Sequence, residues 1–298
     1  MKTLTPISEL FNAIAASPFR VAPEAATGLE GEIENLNITL EFTDKPEIYA
    51  DYVASTDNAK IRLGVPFISA LWAAAYAYIV AYHEYQIAQR KGERYLALGK
   101  IPRVADAYQL YRSARDAVAS CEQFQWPQGA RKPLRYPFEH SDGYKANELF
   151  LVAISWIIHH EIAHARLGHN KLTVASIAEE VDADKSATRT ICAGEADNQR
   201  LHKRAMGVGA AIVFLLALDL QAGRTTTTTH PLSFERLLNN LDLTGLDEDQ
   251  MIYDFAFVLV DIHIAEKGIN EDIDRNGKSR DMCVSACMLL RSLGQQGV

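Results

Sequence analysis

From Asn147 to Leu167 the chain contains neither proline nor glycine, and its apolar residues recur at helical spacing. Leu149, Ala153, Trp156, Ile157, Ala163 and Leu167 mark that period, and Gly168 follows as a helix stop. Into the last turns of this greasy helix the stretch "WIIHHEIAHARLGH" places four of the chain's nine histidines. A helix that must be buried yet carries imidazoles constrains the fold, because each buried polar ring needs a partner. His160 and His164 lie one turn apart and project from the same face. Glu161 sits about 100° round from His160. This His-Glu-x-x-His spacing lets two imidazoles grip Zn²⁺ while the glutamate handles the proton of an activated water. His159 and His169 face elsewhere or lie past the helix end and are read as non-ligands.

A metal held this way needs a third protein ligand. In "LTVASIAEEVDADKSAT", Ser176 and Glu179 read as a capping box. The helix that follows presents Glu180, Ala183, Asp184 and Ala187 on one face, where the alanines permit close approach to another helix. Glu180 is the leading third ligand, and Asp184 is placed to hold a ligand histidine from behind. Glu179, Asp184 itself and Glu195 are the rivals: Glu179 faces about 100° away, and Glu195 follows a helix-breaking Gly194.

The residues "HHEIAH" and "EEVDAD" together resemble the gluzincin metallopeptidases, with a Glu-x-x-Ala-Asp element at Glu180, Ala183 and Asp184. "THPLSFERL", Thr229 to Leu237, is similar to a His-Pro…Arg stretch that such peptidases carry after the third-ligand helix. With its length and motif position, the chain resembles the Lit family of phage-exclusion peptidases. The resemblance implies zinc at His160, His164 and Glu180, Glu161 as catalytic base, and a zincin-like core. It also implies translation elongation factor Tu as the substrate and an activating phage capsid peptide.

At 298 residues the chain can bury a large core. A net charge of −8 without a dense basic patch argues against nucleic acid as a partner. Four scattered cysteines fit a reducing cytoplasm. Cys283 and Cys287, one turn apart, read as small buried residues on one helix face. The N-terminus lacks the pattern of a signal peptide. The charge-free run Gly64 to Tyr82 reads as a buried core helix rather than a membrane span, with peripheral membrane contact left open.

The expected fold is α+β and predominantly helical: residues 1–65 form a short helix (4–16) and a small antiparallel sheet packed on a helical, zincin-like catalytic region, 66–298. The sheet is read from alternation starting at Glu32 in "EIENLNITLEF" and from two strands flanking a turn at Thr56-Asp57-Asn58. Its edge is a candidate rail for a substrate backbone, beside a purely structural reading. "QWPQGARKPLRYPFEHSDGY", with three prolines, is a loop that enters the metal helix and is a candidate wall or lid. After a five-threonine run, His230 is a candidate oxyanion stabiliser, a surface or capping role being the alternative. Arg236 is read as half of a buried ion pair, and His263 as inert.

The function expected is a zinc endopeptidase acting on a specific protein. A metal-binding, toxin-like or regulatory module working by protein contacts without hydrolysis is the alternative.

Overall fold

The computed structural model describes residues 5–54, 59–93, 101–169, 176–222, 233–247, 251–266 and 277–295. Ten helices and three strands occur among them: α1 (Phe11–Val21), α2 (Ala26–Asn35), β1 (Ile38–Thr43), β2 (Ala50–Ala54), β3 (Ala59–Gly64), α3 (Val65–Arg90), α4 (Pro102–Ala119), α5 (Asp142–Arg166), α6 (Ile177–Cys192), α7 (Asn198–Gln221), α8 (Ser233–Asp242), α9 (Met251–Glu266) and α10 (Ser279–Gln295). The chain is mostly helical, as its periodicity predicts.

The charge-free run becomes the hub of the core. Pro66 suits the first turn of α3, where its missing N–H costs nothing. Phe67, Ile68, Leu71, Trp72, Ala75 and Tyr78 are all buried, so α3 is apolar on every side for its first half. It packs on α4, α5, α7 and α9. By length and composition α3 and α7 could each cross a bilayer, but 89% and 72% of their most apolar windows are buried within the protein.

The N-terminal region departs from the sequence reading in three places. A 3-10 turn, Pro6–Leu10, precedes α1, which runs on past Pro18 to Val21. Pro18 has no N–H for the Ile14 carbonyl, and the Ser17 hydroxyl donates to that carbonyl instead, at 2.8 Å. Second, Glu32 to Asn35 belong to α2, and the strand begins only at Ile38, after Asn37 turns the chain with φ 47°. Third, the sheet is mixed rather than antiparallel: its order is β1-β3-β2, with β2 antiparallel and β1 parallel to β3. Alternation sets which face a side chain takes and leaves strand direction open. The turn at 56–58 lies outside the described residues.

α5 is the spine of the functional region. Ser141 caps it, accepting from the Tyr144 N–H, so it starts earlier than the apolar period alone suggests. From Ala153 to His164 every side chain is buried. α5 packs on α1, α3, α6, α7 and the sheet. The approach of α7 depends on Gly207, where a Cβ would overlap the Val152 side chain of α5. The proline-rich loop is pinned at the other end of α5: Asn147 donates to the Leu134 carbonyl at 2.8 Å and accepts from the Trp72 indole at 2.8 Å. That anchor lies about 20 Å along the helix from His160.

Candidate metal centre

Two helices supply the site. α5 carries His160, Glu161 and His164, and α6 carries Glu180 and Asp184. α6 starts where its sequence signals: the Ser176 hydroxyl accepts from the Glu179 N–H, and the Glu179 carboxylate accepts from the Ser176 N–H. That cap uses up Glu179 and turns it outward. It leaves Glu180, Ala183, Asp184 and Ala187 buried against α5.

The two imidazoles meet through their Nε2 atoms, 3.0 Å apart. Glu180 faces both, with Oε2 3.3 Å from His160 Nε2 and Oε1 3.5 Å from His164 Nε2. One ligand atom from each of the three lies within 4.8 Å of the other two. His164 is 1% and Glu180 4% exposed. Imidazole nitrogens that carry no proton, and a carboxylate, are all acceptors. Turned toward one another in a buried space, they are held together by a cation between them, a proton or a metal. The donor set, His₂Glu with all three aimed at one point, fits a metal ion.

The far side of each ring is also engaged. His160 Nδ1 lies 2.9 Å from Asp184 Oδ1. Arg236 of α8 donates to both Asp184 oxygens at 2.7 Å, a fork-on-fork pair. Arg236 also stands over the Trp156 ring, 5.9 Å from its centroid. Burial raises the cost of charge on Asp184, but Arg236 and His160 outweigh it and hold the carboxyl well below its usual range. Burial likewise disfavours a charged His160, yet its bonds to Asp184 and Glu180 prevail and hold its pKa up at about 9. Metal binding displaces that proton. His164 Nδ1 lies 2.9 Å from Nδ1 of His169.

Behind the rings runs a second buried chain of bonds. The Trp156 indole donates to the Thr188 hydroxyl at 2.9 Å, Thr188 donates to Asn240 at 2.5 Å, and Asn240 donates to the Arg236 carbonyl at 2.8 Å. It ties α5, α6 and α8 into one frame.

The structure thus brings His160, His164, Glu180 and Asp184 together, with Glu161 buried on the same helix at 7% exposure. It takes Glu195 away: that carboxylate pairs with Arg204 at 2.6 Å. Arg236 is the buried half of an ion pair, and its partner is Asp184. His159 is buried at a different point, its ring 3.3 Å from the Pro18 carbonyl, and burial pushes its pKa down to about 4. His230 lies outside the described residues. Of the two histidines read as non-ligands, His169 is the one whose ring touches a site residue. Its one signal was the Gly168 helix stop, which folds the next residue back over the helix end.

The Peptidase U49 family profile matches residues 61–256, which include both metal helices. A cell death peptidase of Escherichia coli (strain K12) is 30% identical over 274 residues, covering 91% of this chain and 92% of the relative. No solved structure matches the chain at a significant level. With a family profile across most of its length, a relative along nearly all of it and a His-x-x-x-His…Glu site, the chain belongs to the Peptidase U49 family of metallopeptidases.

Proposed function

We propose that the protein is a zinc-dependent endopeptidase with one or few protein substrates, and that Glu161 is its catalytic base. The observation that carries this reading is the convergence of His160, His164 and Glu180 from two helices, with Glu161 one residue from the first ligand. His160, His164 and Glu180 would hold the metal, and zinc suits their nitrogen and carboxylate donors. Zinc when bound acts as a Lewis acid that makes a water acidic near neutral pH and polarises a peptide carbonyl. Glu161 takes the proton of the attacking water and passes it to the departing amine nitrogen. Asp184, fixed by Arg236, keeps the His160 ring turned with Nε2 inward. β2, an edge strand of the sheet packed on α5, offers backbone groups along which an extended substrate can lie.

The resemblance to the Lit family, together with a relative named as a cell death peptidase, supports elongation factor Tu as the first substrate to test, with an activating peptide present. Such a substrate implies action in the cytoplasm, which suits four free cysteines.

Elemental analysis of the purified protein tests the metal. About one zinc per chain is expected in the wild type and in Glu195→Ala, with none retained by Glu180→Ala. Glu161→Gln should keep its zinc and lose cleavage of elongation factor Tu, read by gel and mass spectrometry with the activating peptide added. Zinc in the wild type alongside cleavage that survives in Glu161→Gln rejects the proposed base. Zinc with no cleavage of any protein supplied favours the non-hydrolytic module.

A further inference from the structure

We infer that His169 is a positioning residue for the ligand His164, and that the turn at Gly168 exists to put it there. The inference rests on the metal reading of His164 and adds a residue to it. The helix α5 ends in a Schellman turn. Leu167 keeps helical dihedrals (φ −81°), and Gly168 takes φ +69°, a left-handed conformation that favours glycine. The Gly168 N–H then donates to the Ala165 carbonyl at 3.2 Å, and the His169 N–H donates to the carbonyl of His164 at 3.0 Å. The chain folds back on its own last turn, and His169 is bonded by its backbone to the very residue its ring touches.

The ring contact is specific. The two Nδ1 atoms are 2.9 Å apart, with ring centroids 5.1 Å apart and planes at 65°. Two imidazole nitrogens at that distance require one N–H and one lone pair. His164 turns Nε2 toward His160 and Glu180, so a metal takes that atom and the His164 proton sits on Nδ1. It is then His164 that donates and His169 that accepts, with the His169 proton on Nε2. His169 is not a fourth ligand in this arrangement, because its Nδ1 faces the back of His164. The two ligand rings are therefore held from behind by different groups, His160 by a carboxylate and His164 by an imidazole. Outer contacts of this kind fix the tautomer and the aim of a ligand histidine.

Three substitutions separate positioning from filling space. His169→Phe keeps a ring without an acceptor. His169→Asn keeps an acceptor oxygen near the Nδ1 position without the ring. Gly168→Ala meets no atom within 4 Å, and so disturbs only the left-handed backbone that delivers His169. The readout is Zn²⁺ affinity of the full chain, by competition with a chromophoric chelator, with circular dichroism of the metal-free forms confirming that each is folded. His169→Phe should bind zinc about 10- to 100-fold more weakly than wild type, and His169→Asn within a few fold of it. Gly168→Ala should fall between them. Wild-type affinity in His169→Phe, or equal weakening in Phe and Asn variants, overturns the inference. A wild type that binds no zinc overturns instead the metal reading beneath it. If His169→Phe fails to fold, Gly168→Ala decides: wild-type affinity in that variant rejects the role given to the turn.

Discussion

His160 and His263 are both buried histidines backed by a carboxylate that an arginine grips with two bonds. At His160 the backing is Asp184 and Arg236. At His263 it is Glu266, whose oxygens are 3.5 Å from the ring at nearest and accept from Arg115 at 2.7 Å each. The difference lies in what else each ring meets. His263 has the Tyr78 hydroxyl 3.3 Å from Nε2 and the Tyr108 hydroxyl 3.3 Å from Nδ1. The Tyr108 hydroxyl donates to Glu266 at 2.9 Å, so it accepts at Nδ1, and the Tyr78 hydroxyl is left to serve Nε2. Burial pushes the pKa of Tyr78 and Tyr108 well up, so those hydroxyls keep their protons. His160 turns its second nitrogen on another imidazole nitrogen and a glutamate carboxylate, 3.0 and 3.3 Å away, a donor set that one metal ion can join. An Arg–carboxylate–His chain is thus a way to bury a histidine, and the groups across the ring decide whether it holds a helix pair together or grips a metal.

The sharpest way to break this comparison is to remove each histidine. His160→Ala should strip zinc from about one per chain to background. His263→Phe should leave zinc at the wild-type level and cost only stability. Loss of metal in His263→Phe, in a sample that circular dichroism shows to be folded, would erase the distinction between the two clusters.

Next in size is the charge at the second cluster. Glu266→Gln leaves Arg115, 5% exposed at its side chain, with only the exposed Asp116 carboxylate, 3.4 Å away, in place of its two-bond partner. Breaking such a buried pair should lower unfolding free energy by about 3 kcal/mol in urea titrations, with zinc content unchanged. The pH dependence follows from the ionisation of Glu266. Burial raises its pKa, but the bonds from Arg115 and His263 and their charges outweigh burial and hold it below the ordinary 4.5. A depressed carboxyl contributes stability that is full above the unfolded value and lost as pH falls through the folded one. The gap between wild type and Glu266→Gln should therefore be widest above pH 4.5 and narrow below it. A gap that stays constant down to acid-induced unfolding would show that Glu266 acts by packing alone.

Asp184→Asn makes the corresponding change at the first cluster. It keeps the shape, removes the charge that orients His160, and leaves Arg236 unbalanced. Zinc affinity should drop about 10- to 100-fold, because an outer carboxylate aims its ligand rather than binding the ion. Complete loss of metal would instead make Asp184 a ligand, the rival role it had on sequence alone.

How much of this was legible follows from which geometry a residue's role depends on. The helical period alone sets His160 and His164 on one face, and the capping box at Ser176 fixes the phase of α6, so Glu180 and Asp184 could be placed before any coordinates. Arg236 could be read as buried and paired, because a lone charge on an apolar helix face needs a partner, but its partner sits 52 residues away in sequence. His169 could not be placed. Its role depends on the left-handed φ of one glycine, and a helix-stop signal says where a helix ends and not where the next side chain lands. The parallel pairing of β1 was hidden for a related reason: alternation along one strand carries no information about its neighbour's direction.

The smallest expected effect probes the chain of bonds behind the first cluster. Thr188 is fully buried between Trp156 of α5 and Asn240 of α8. Its hydroxyl accepts from the indole and donates to the amide, so it links the metal helix to the helix that carries Arg236. Thr188→Val has nearly the same shape and leaves two buried groups, the Trp156 N–H and the Asn240 oxygen, short of a partner. A lost bond of this kind costs about 1 to 3 kcal/mol. If the chain of bonds serves only stability, urea titration will show that loss and zinc affinity will stay at the wild-type value. If it also sets the distance between α8 and α5, Asp184 and Arg236 shift with it and zinc binding weakens by a few fold in the same variant. The second outcome is expected here, because Asn240 is bonded through its Nδ2 to the carbonyl of Arg236 itself. An unchanged zinc affinity would confine the metal centre to α5, α6 and the Arg236 side chain, and make the Thr188 link a stability element like the tyrosines around His263.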